Sequence, residues 1–302
     1  MLFFVLRRFA FAILLVFIVA SAAFALALLA PGDYFTDFGP GSEKRAQAER
    51  AAAGFDRPLA VQYASWLSRA VRLDLGTSLR FQRPVRELIA PRTLNTVLLG
   101  ASALALATLI GMPLGVITGS GETGFLRAFV RATSSVLLSL PSLVIALGLT
   151  AIAARRGWLP PPGIHFANMV LPAVALALPA AAVIERTHSQ AMRHVMSEPW
   201  LLAAAARGLP TRVLRWKHAM RGALGTTLGT YGVLAGALLS GSFAVELIVD
   251  WPGLALLTAD AVRARDPFLV SGCAAAAAVV LAAAILVTDL VHAWVDPRVL
   301  RT

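Results

Sequence analysis

Six apolar stretches of roughly twenty residues constrain this chain more than any other feature. They run over residues 9–30, 93–119, 132–154, 169–184, 227–249 and 268–291. In hydrocarbon every backbone N–H and C=O has to be bonded within the chain, so each stretch is expected to cross as a helix. A water-soluble core could not cover six of them. The composition agrees: 58% of the 302 residues are hydrophobic and only 14% are charged, where soluble domains carry roughly 45–50% and 25%. Disorder is excluded by the same numbers, because disordered chains are poor in apolar residues. The expected fold class is therefore all-α integral membrane, with six transmembrane helices.

The first stretch lies between Arg7-Arg8 and Pro31-Gly32-Asp33. Ala25-Leu26-Ala27 has the small-residue pattern of a leader cleavage site, yet the apolar run before it exceeds the roughly 7–15 residues of a leader and continues through Leu28-Leu29. An uncleaved anchor is expected. The fourth stretch is short and contains Pro172 and Pro179, so its helix is expected to begin several residues earlier.

Arginine placement orients the bundle. With the N-terminus inside, segments 1–8, 120–131, 185–226 and 292–302 face the cytoplasm and hold 2, 2, 7 and 2 Lys+Arg, whereas the short outer loops 155–168 and 250–267 hold 2 each. This predicts an N-in/C-in topology. Segment 31–92 carries 10 Lys+Arg and seven acids on the outside, but at about 60 residues it sits at the length where the rule ceases to count. Within it, Arg57-Pro58, Val61, Gln62, Tyr63, Trp66 and Leu67 predict a turn followed by a surface helix. The net charge of +11 thus reports topology and loop chemistry rather than nucleic-acid binding.

The basic loop 185–226 contains a compact apolar patch. Ser197-Glu198-Pro199-Trp200 reads as a helix start, with Ser197 as the cap, Glu198 at the positive end of the dipole and Pro199 in the first turn. Leu201 through Arg207 continues with strong helix formers, and Gly208 with Pro210 ends the run. A second, basic helix is expected around residues 211–221. Two readings of the first helix stand side by side. Its alanines permit close backbone approach and Trp200 supplies an anchor, which suits a plug for a partner's groove. Alternatively it lies on the membrane with Trp200 and the arginines at headgroup level.

The loop resembles the coupling loop, or EAA motif, of permease subunits in binding-protein-dependent ABC importers: Ala203-Ala204, three residues, then Gly208 match its core. Leu202 stands where the motif has its Glu. Further segments resemble the dipeptide/oligopeptide/nickel branch of that family, in order and over nearly the whole chain. They include Leu6-Arg7-Arg8, Asp56-Arg57-Pro58-Leu59, Asp74-Leu75-Gly76-Thr77-Ser78, Ile110-Gly111-Met112-Pro113-Leu114-Gly115 and Ser139-Leu140-Pro141-Ser142. Gly157-Trp158-Leu159-Pro160, His218-Ala219-Met220-Arg221, Trp251-Pro252-Gly253-Leu254, Arg265-Asp266-Pro267 and Asp296-Pro297-Arg298-Val299 complete the series. Two departures are Gly225-Thr226, where the family usually has Leu-Pro, and Gly222 in place of a common Asn.

The resemblance implies a type I ABC importer permease fold in the bacterial cytoplasmic (inner) membrane. It divides the chain into residues 1–30 (cytoplasmic start and first span), an extracytoplasmic segment 31–92, an ABC type-1 transmembrane domain 93–291 that includes coupling loop 185–226, and a tail 292–302. It implies as partners a second homologous permease, two cytoplasmic ABC ATPase subunits and an extracytoplasmic solute-binding protein, besides membrane lipid. Glu198, Trp200, Ala203, Ala204, Arg207 and Gly208 are then the ATPase-coupling residues. The cargo would be peptides or a related small solute such as a nickel chelate or an opine. The rival reading is a non-transporting membrane scaffold whose loop binds lipid or a soluble partner.

No catalytic, cofactor or metal site is expected. Neither lysine precedes Ser or Thr as a P-loop requires: Lys44 precedes Arg45 and Lys217 precedes His218. HExxH and GxSxG are absent. The single Cys273 in an Ala-rich tract reads as a packing residue. His188, His194 and His218 are expected to be solvated or in contact with an ATPase. Glu185, Glu246 and Asp289 lie near span ends; Glu246 and Asp250 flank the outer end of span five, where the readings are substrate handling or, as expected here, interfacial exposure or pairing with arginine. Pro113, Pro141, Pro172 and Pro179 are hinge or kink candidates. Gly225, Gly229, Gly232, Gly236 and Gly241 in span five suggest close helix packing.

Overall fold

Prolines, left-handed residues and a few capping side chains cut this apolar chain into helices. A computed structural model describes residues 2–32, 34–37, 43–52, 54–120, 124–158 and 166–295. Asp33, Leu159-Pro160 and Asp296-Pro297-Arg298-Val299 lie outside the described residues. The helices are α1 (Leu2–Leu29), α2 (Glu43–Ala52), α3 (Leu59–Ala70), α4 (Val85–Gly119), α5 (Phe125–Ser139), α6 (Ser142–Arg156), α7 (Phe166–Met196), α8 (Pro199–Ala206), α9 (Thr211–Val213), α10 (Met220–Leu228), α11 (Tyr231–Val249), α12 (Leu254–Arg263) and α13 (Pro267–Val295). A π-helical turn, Leu214–Ala219, joins α9 to α10. The described residues contain one isolated β-bridge, Thr77 with Pro84, and no strand.

Among the described residues five helices, α1, α4, α7, α11 and α13, are long and apolar enough to cross a membrane, and the pair α5–α6 makes a sixth if taken together. The third span expected at 132–154 is therefore not one helix. It is broken between Ser139 and Ser142, with the two halves bent by 102°. Pro141 is the physical reason: the residue before a proline is driven out of the helical region, and Leu140 is extended at φ −97°, ψ 121°.

Other boundaries shift, outward for α4 and α7 and inward at the start of α11, expected at residue 227. Helix α4 begins at Val85 rather than residue 93, and its 35 residues span about 52 Å at the usual helical rise. Helix α7 carries Pro172 and Pro179 within it and continues twelve residues past Ile184 to Met196. Helix α10 passes through Gly225-Thr226 without a break, since no proline stands there to stop it; the chain turns after Leu228 and α11 starts at Tyr231.

The chain divides into two units. One comprises Met1–Val5, Val97–Trp251 and Ala283–Thr302; the other comprises Leu6–Thr96 and Pro252–Ala282.

In the second unit, aromatic packing builds the core. The rings of Phe24 on α1 and Trp66 on α3 stack at 4.7 Å, and Phe268 on α13 lies 5.9 Å from Phe24. The surface helix expected after Arg57-Pro58 is α3, held at its start by Gln62, whose Nε2 donates to the carbonyls of Phe55 and Arg57. Asp266 joins two of the recognisable segments. It is fully buried and caps α13 by accepting from the Leu269 N–H at 3.1 Å, with Pro267 in the first turn. Its other oxygen accepts from Ser78 Oγ at 2.6 Å and the Arg80 N–H at 3.2 Å. Likewise Asn95 Nδ2 donates to Pro252 O, and Thr96 Oγ1 accepts from the Leu254 N–H, both at 2.8 Å, which fixes the start of α12.

In the first unit, small residues let helices approach closely. Leu99, Ala103, Ala107, Ala177, Ile184 and Leu238 are among its buried core residues. The tightest seam is α4 on α7. A Cβ at Gly111 would lie 2.6 Å from Ala181 O, one at Gly115 2.8 Å from His188 Cβ, and one at Gly119 2.6 Å from Met192 Cβ. The four-residue spacing puts the three glycines on one face of α4. The span-five glycines contribute less: Gly241 meets Ser142 Oγ at 3.0 Å and Gly232 meets Thr288 Oγ1 at 3.5 Å.

Candidate functional site

The eight residues of α8 form a short apolar helix standing on the end of α7. Its start differs from the capping expected of Ser197, whose hydroxyl donates to His194 O at 2.7 Å and so finishes α7. Glu198 occupies the cap position with extended backbone and makes no side-chain cap bond; Pro199 follows as the first helical residue. Glu198 lies 3.4 Å from His194 Nε2 on the exposed surface, a pair that contributes little in water.

The helix ends on Gly208, whose φ of +86° is strained for any residue with a Cβ. The Gly208 N–H donates to Ala205 O at 2.9 Å and the Leu209 N–H to Ala204 O at 3.4 Å, the bond pattern of a Schellman stop. Leu209 then packs onto the same cluster as Ala204, supplying the apolar contact that accompanies this motif. The Arg207 side chain folds back, Nε donating to Ala203 O at 3.3 Å.

The two faces of α8 differ. Leu201 and Ala204, one turn apart, are buried against Val116 of α4, Ala191, Met192 and Val195 of α7, and Leu214, Ala219 and Ala223. Trp200 remains 48% exposed and Leu202 57% exposed, and Ala203, Ala205, Ala206, Arg207 and Gly208 are exposed too. Gly222 lets α10 lie close to α7, since a Cβ there would come 2.9 Å from Val195 Cγ1. Of the six expected coupling residues, five are accessible or partly so, and Ala204 faces inward. Leu202 is the exposed apolar residue that the loop's motif pattern left out of the set; its i+2 offset from Trp200 was no helical-face signal.

Below α8 lies a buried polar layer that sequence reasoning missed. Thr118 on α4 donates its hydroxyl to Glu185 Oε1 on α7, and His188 Nδ1 shares a hydrogen with Thr227 Oγ1 at 2.8 Å. His188 is fully buried and Glu185 is 3% exposed, so His188 is neither solvated nor free to touch an ATPase, and Glu185 is not interfacial. Gly115 makes this possible: its missing side chain admits both, with Glu185 O and His188 Cβ within 3.0 Å of where a Cβ would be. Glu246 is likewise fully buried. Among the described residues no group of three His, Cys, Asp or Glu side chains is arranged to hold a metal.

Residues 111–301 match the family described as binding-protein-dependent transport system inner membrane component, and residues 1–99 match the N-terminal region of such membrane components. The chain belongs to this permease family. Over 303 residues it is 30% identical to the glutathione transport system permease protein of Salmonella typhimurium, covering 99% of each chain. It is 30% identical over 300 residues to the dipeptide transport system permease protein of Lactococcus lactis subsp. cremoris, covering 98% of each. The oligopeptide transport system permease protein of Bacillus subtilis is 29% identical over 311 residues, again with 98% of each covered.

The protein is thus a multi-pass helical permease of the bacterial inner membrane, with the type I ABC permease fold, and it serves a transport system that depends on a separate binding protein. Permease subunits of this family are not themselves enzymes. The scaffold reading of the loop gives way to transport.

Proposed function

We propose that this permease imports peptides or a related small solute such as a nickel chelate or an opine, and that α8 is where an ATPase subunit engages it. The observation that carries the coupling role is the two-faced α8: its inner side is locked to α4 and α7, while Trp200, Leu202, Ala203 and Ala206 stay open to water. Peptide-type cargo is supported by the relatives named for dipeptide, oligopeptide and glutathione transport.

In this reading a second, homologous permease completes the path, two ATPase subunits dock on the cytoplasmic side, and an extracytoplasmic binding protein delivers the solute. The topology is N-in/C-in. ATPase closure moves α8, and the differential contact of α8 with the two nucleotide states shifts the helices between inward and outward access.

The test is uptake into proteoliposomes holding the full complex. Gly208→Leu forces a branched residue into a left-handed position, and the expected result is ATP turnover without uptake; unchanged uptake overturns the coupling role. Orientation is tested by labelling from the outside. Ala60→Cys is expected to react and Ala203→Cys to react only after permeabilisation, since both positions are exposed and the native Cys273 is buried; the opposite pattern overturns the topology.

A further inference from the structure

A groove of about 300 Å³ opens between α5 and α7 in the first unit. Its volume matches about ten waters at roughly 30 Å³ each, enough for a hydrated phosphodiester. Three arginines line it: Arg131 from α5, and Arg186 and Arg193 from α7. The latter two are seven residues apart, close to two helical turns, and so share one face.

An Nη2 hydrogen of Arg131 goes to Thr118 O at 2.8 Å, which steadies that guanidinium at the groove. Arg186 and Arg193 have no ion-pair partner among the described residues. The hydroxyls of two largely buried serines, Ser134 at 7% and Ser189 at 3% exposure, also line the groove, and no hydrogen bond holds either one among the described residues. One carboxylate faces the same space, Glu185, which accepts the Thr118 hydroxyl. The lining therefore holds three cations against one anion, with unused donors between them.

The other side of α5 is apolar and open. Phe129 and Val136 are each 58% exposed, seven residues apart on that helix. A helix with exposed apolar side chains on one flank and an arginine-lined groove on the other fits a molecule that is apolar at one end and anionic at the other. Basic pockets between membrane helices bind anionic headgroups on these grounds.

We propose that the α5–α7 groove binds the phosphate of an anionic phospholipid headgroup, with Arg131, Arg186 and Arg193 as its cationic ligands and the Ser134 and Ser189 hydroxyls as donors. The bound chemistry is a phosphate oxyanion, and the source is the bilayer. Binding at this site is independent of the cargo and of α8.

Native mass spectrometry of the complete transporter in mild detergent tests it, with short-chain phosphatidylglycerol, phosphatidylcholine of the same chain length and inorganic phosphate as probes. Phosphatidylglycerol is expected to be retained and phosphatidylcholine lost. The double variant Arg186→Gln/Arg193→Gln is expected to weaken phosphatidylglycerol retention about twenty-five-fold, at roughly fivefold per arginine near a lipid phosphate. Arg72→Gln/Arg86→Gln, which removes two exposed charges elsewhere, is expected to change nothing. A second probe, Gln190→Glu, adds a negative charge at the exposed edge of the groove and is expected to weaken retention as well. Equal retention by wild type and both groove variants overturns the site, and displacement of the lipid by inorganic phosphate at equal concentration overturns the bilayer as its source.

Discussion

Two short helices outside the main spans each carry one tryptophan, and they treat it in opposite ways. On α3, Trp66 is 3% exposed and stacked on Phe24. On α8, Trp200 is 48% exposed, beside an exposed Leu202. Burying an aromatic ring is among the largest single gains available to a fold, so an apolar helix that buries Leu201 and Ala204 while leaving its tryptophan open keeps a face for something else. The contrast separates a helix that stabilises this chain from one that we propose serves a partner.

The largest expected effect breaks the comparison on the α3 side. Trp66→Ala should lower stability by about 3–5 kcal/mol, as for other large-to-small aromatic truncations, read as a fall in thermal unfolding temperature in detergent; a shift no larger than that of an exposed residue would mean that α3 is not anchored by its ring. Next comes Asp266→Ala, which removes the cap of α13 and leaves the Ser78 hydroxyl without its acceptor. A loss of about 2 kcal/mol is expected, and Asp266→Asn should recover part of it. Smaller again, Gly208→Ala should cost about 1 kcal/mol through its left-handed backbone. Trp200→Ala sharpens the comparison most. Its effect on unfolding should stay within about 0.5 kcal/mol, while ATP-driven uptake falls sharply; a stability loss rivalling that of Trp66→Ala would erase the distinction between the helices.

How much of this was legible beforehand depends on the scale of the signal. Apolar runs of twenty residues are unmistakable, and the Pro199 start and Gly208 stop of α8 follow from local backbone chemistry. The break at Leu140-Pro141 was visible as a proline but not as a 102° bend, because hydropathy continues smoothly through Ser139 and Ser142 and averages over the interruption. The buried layer of Thr118, Glu185, His188 and Thr227 was hidden for another reason. Each of these residues reads as polar loop or span edge on its own, and only the approach of α4 to α7 brings them together. That approach is encoded in Gly111, Gly115 and Gly119, whose four-residue spacing lies inside an unbroken apolar run. Asp266 and Ser78 were both present in recognisable segments, yet they stand 188 positions apart in the chain, and no local rule links them.

The seam at Gly111, Gly115 and Gly119 has a mechanical consequence. With the α4 backbone set against Ala181 O and Ser189 O, there is no cushion of long side chains to absorb a shear, so α4 and α7 work as a single splint. The cluster that seats α8 includes Val116 of α4 and Met192 and Val195 of α7, both limbs of that splint at once. In the proposed coupling, a tug on α8 would be delivered as torque on two membrane helices together, and the elbow at Leu140-Pro141 is the one sharp joint among this unit's described spans.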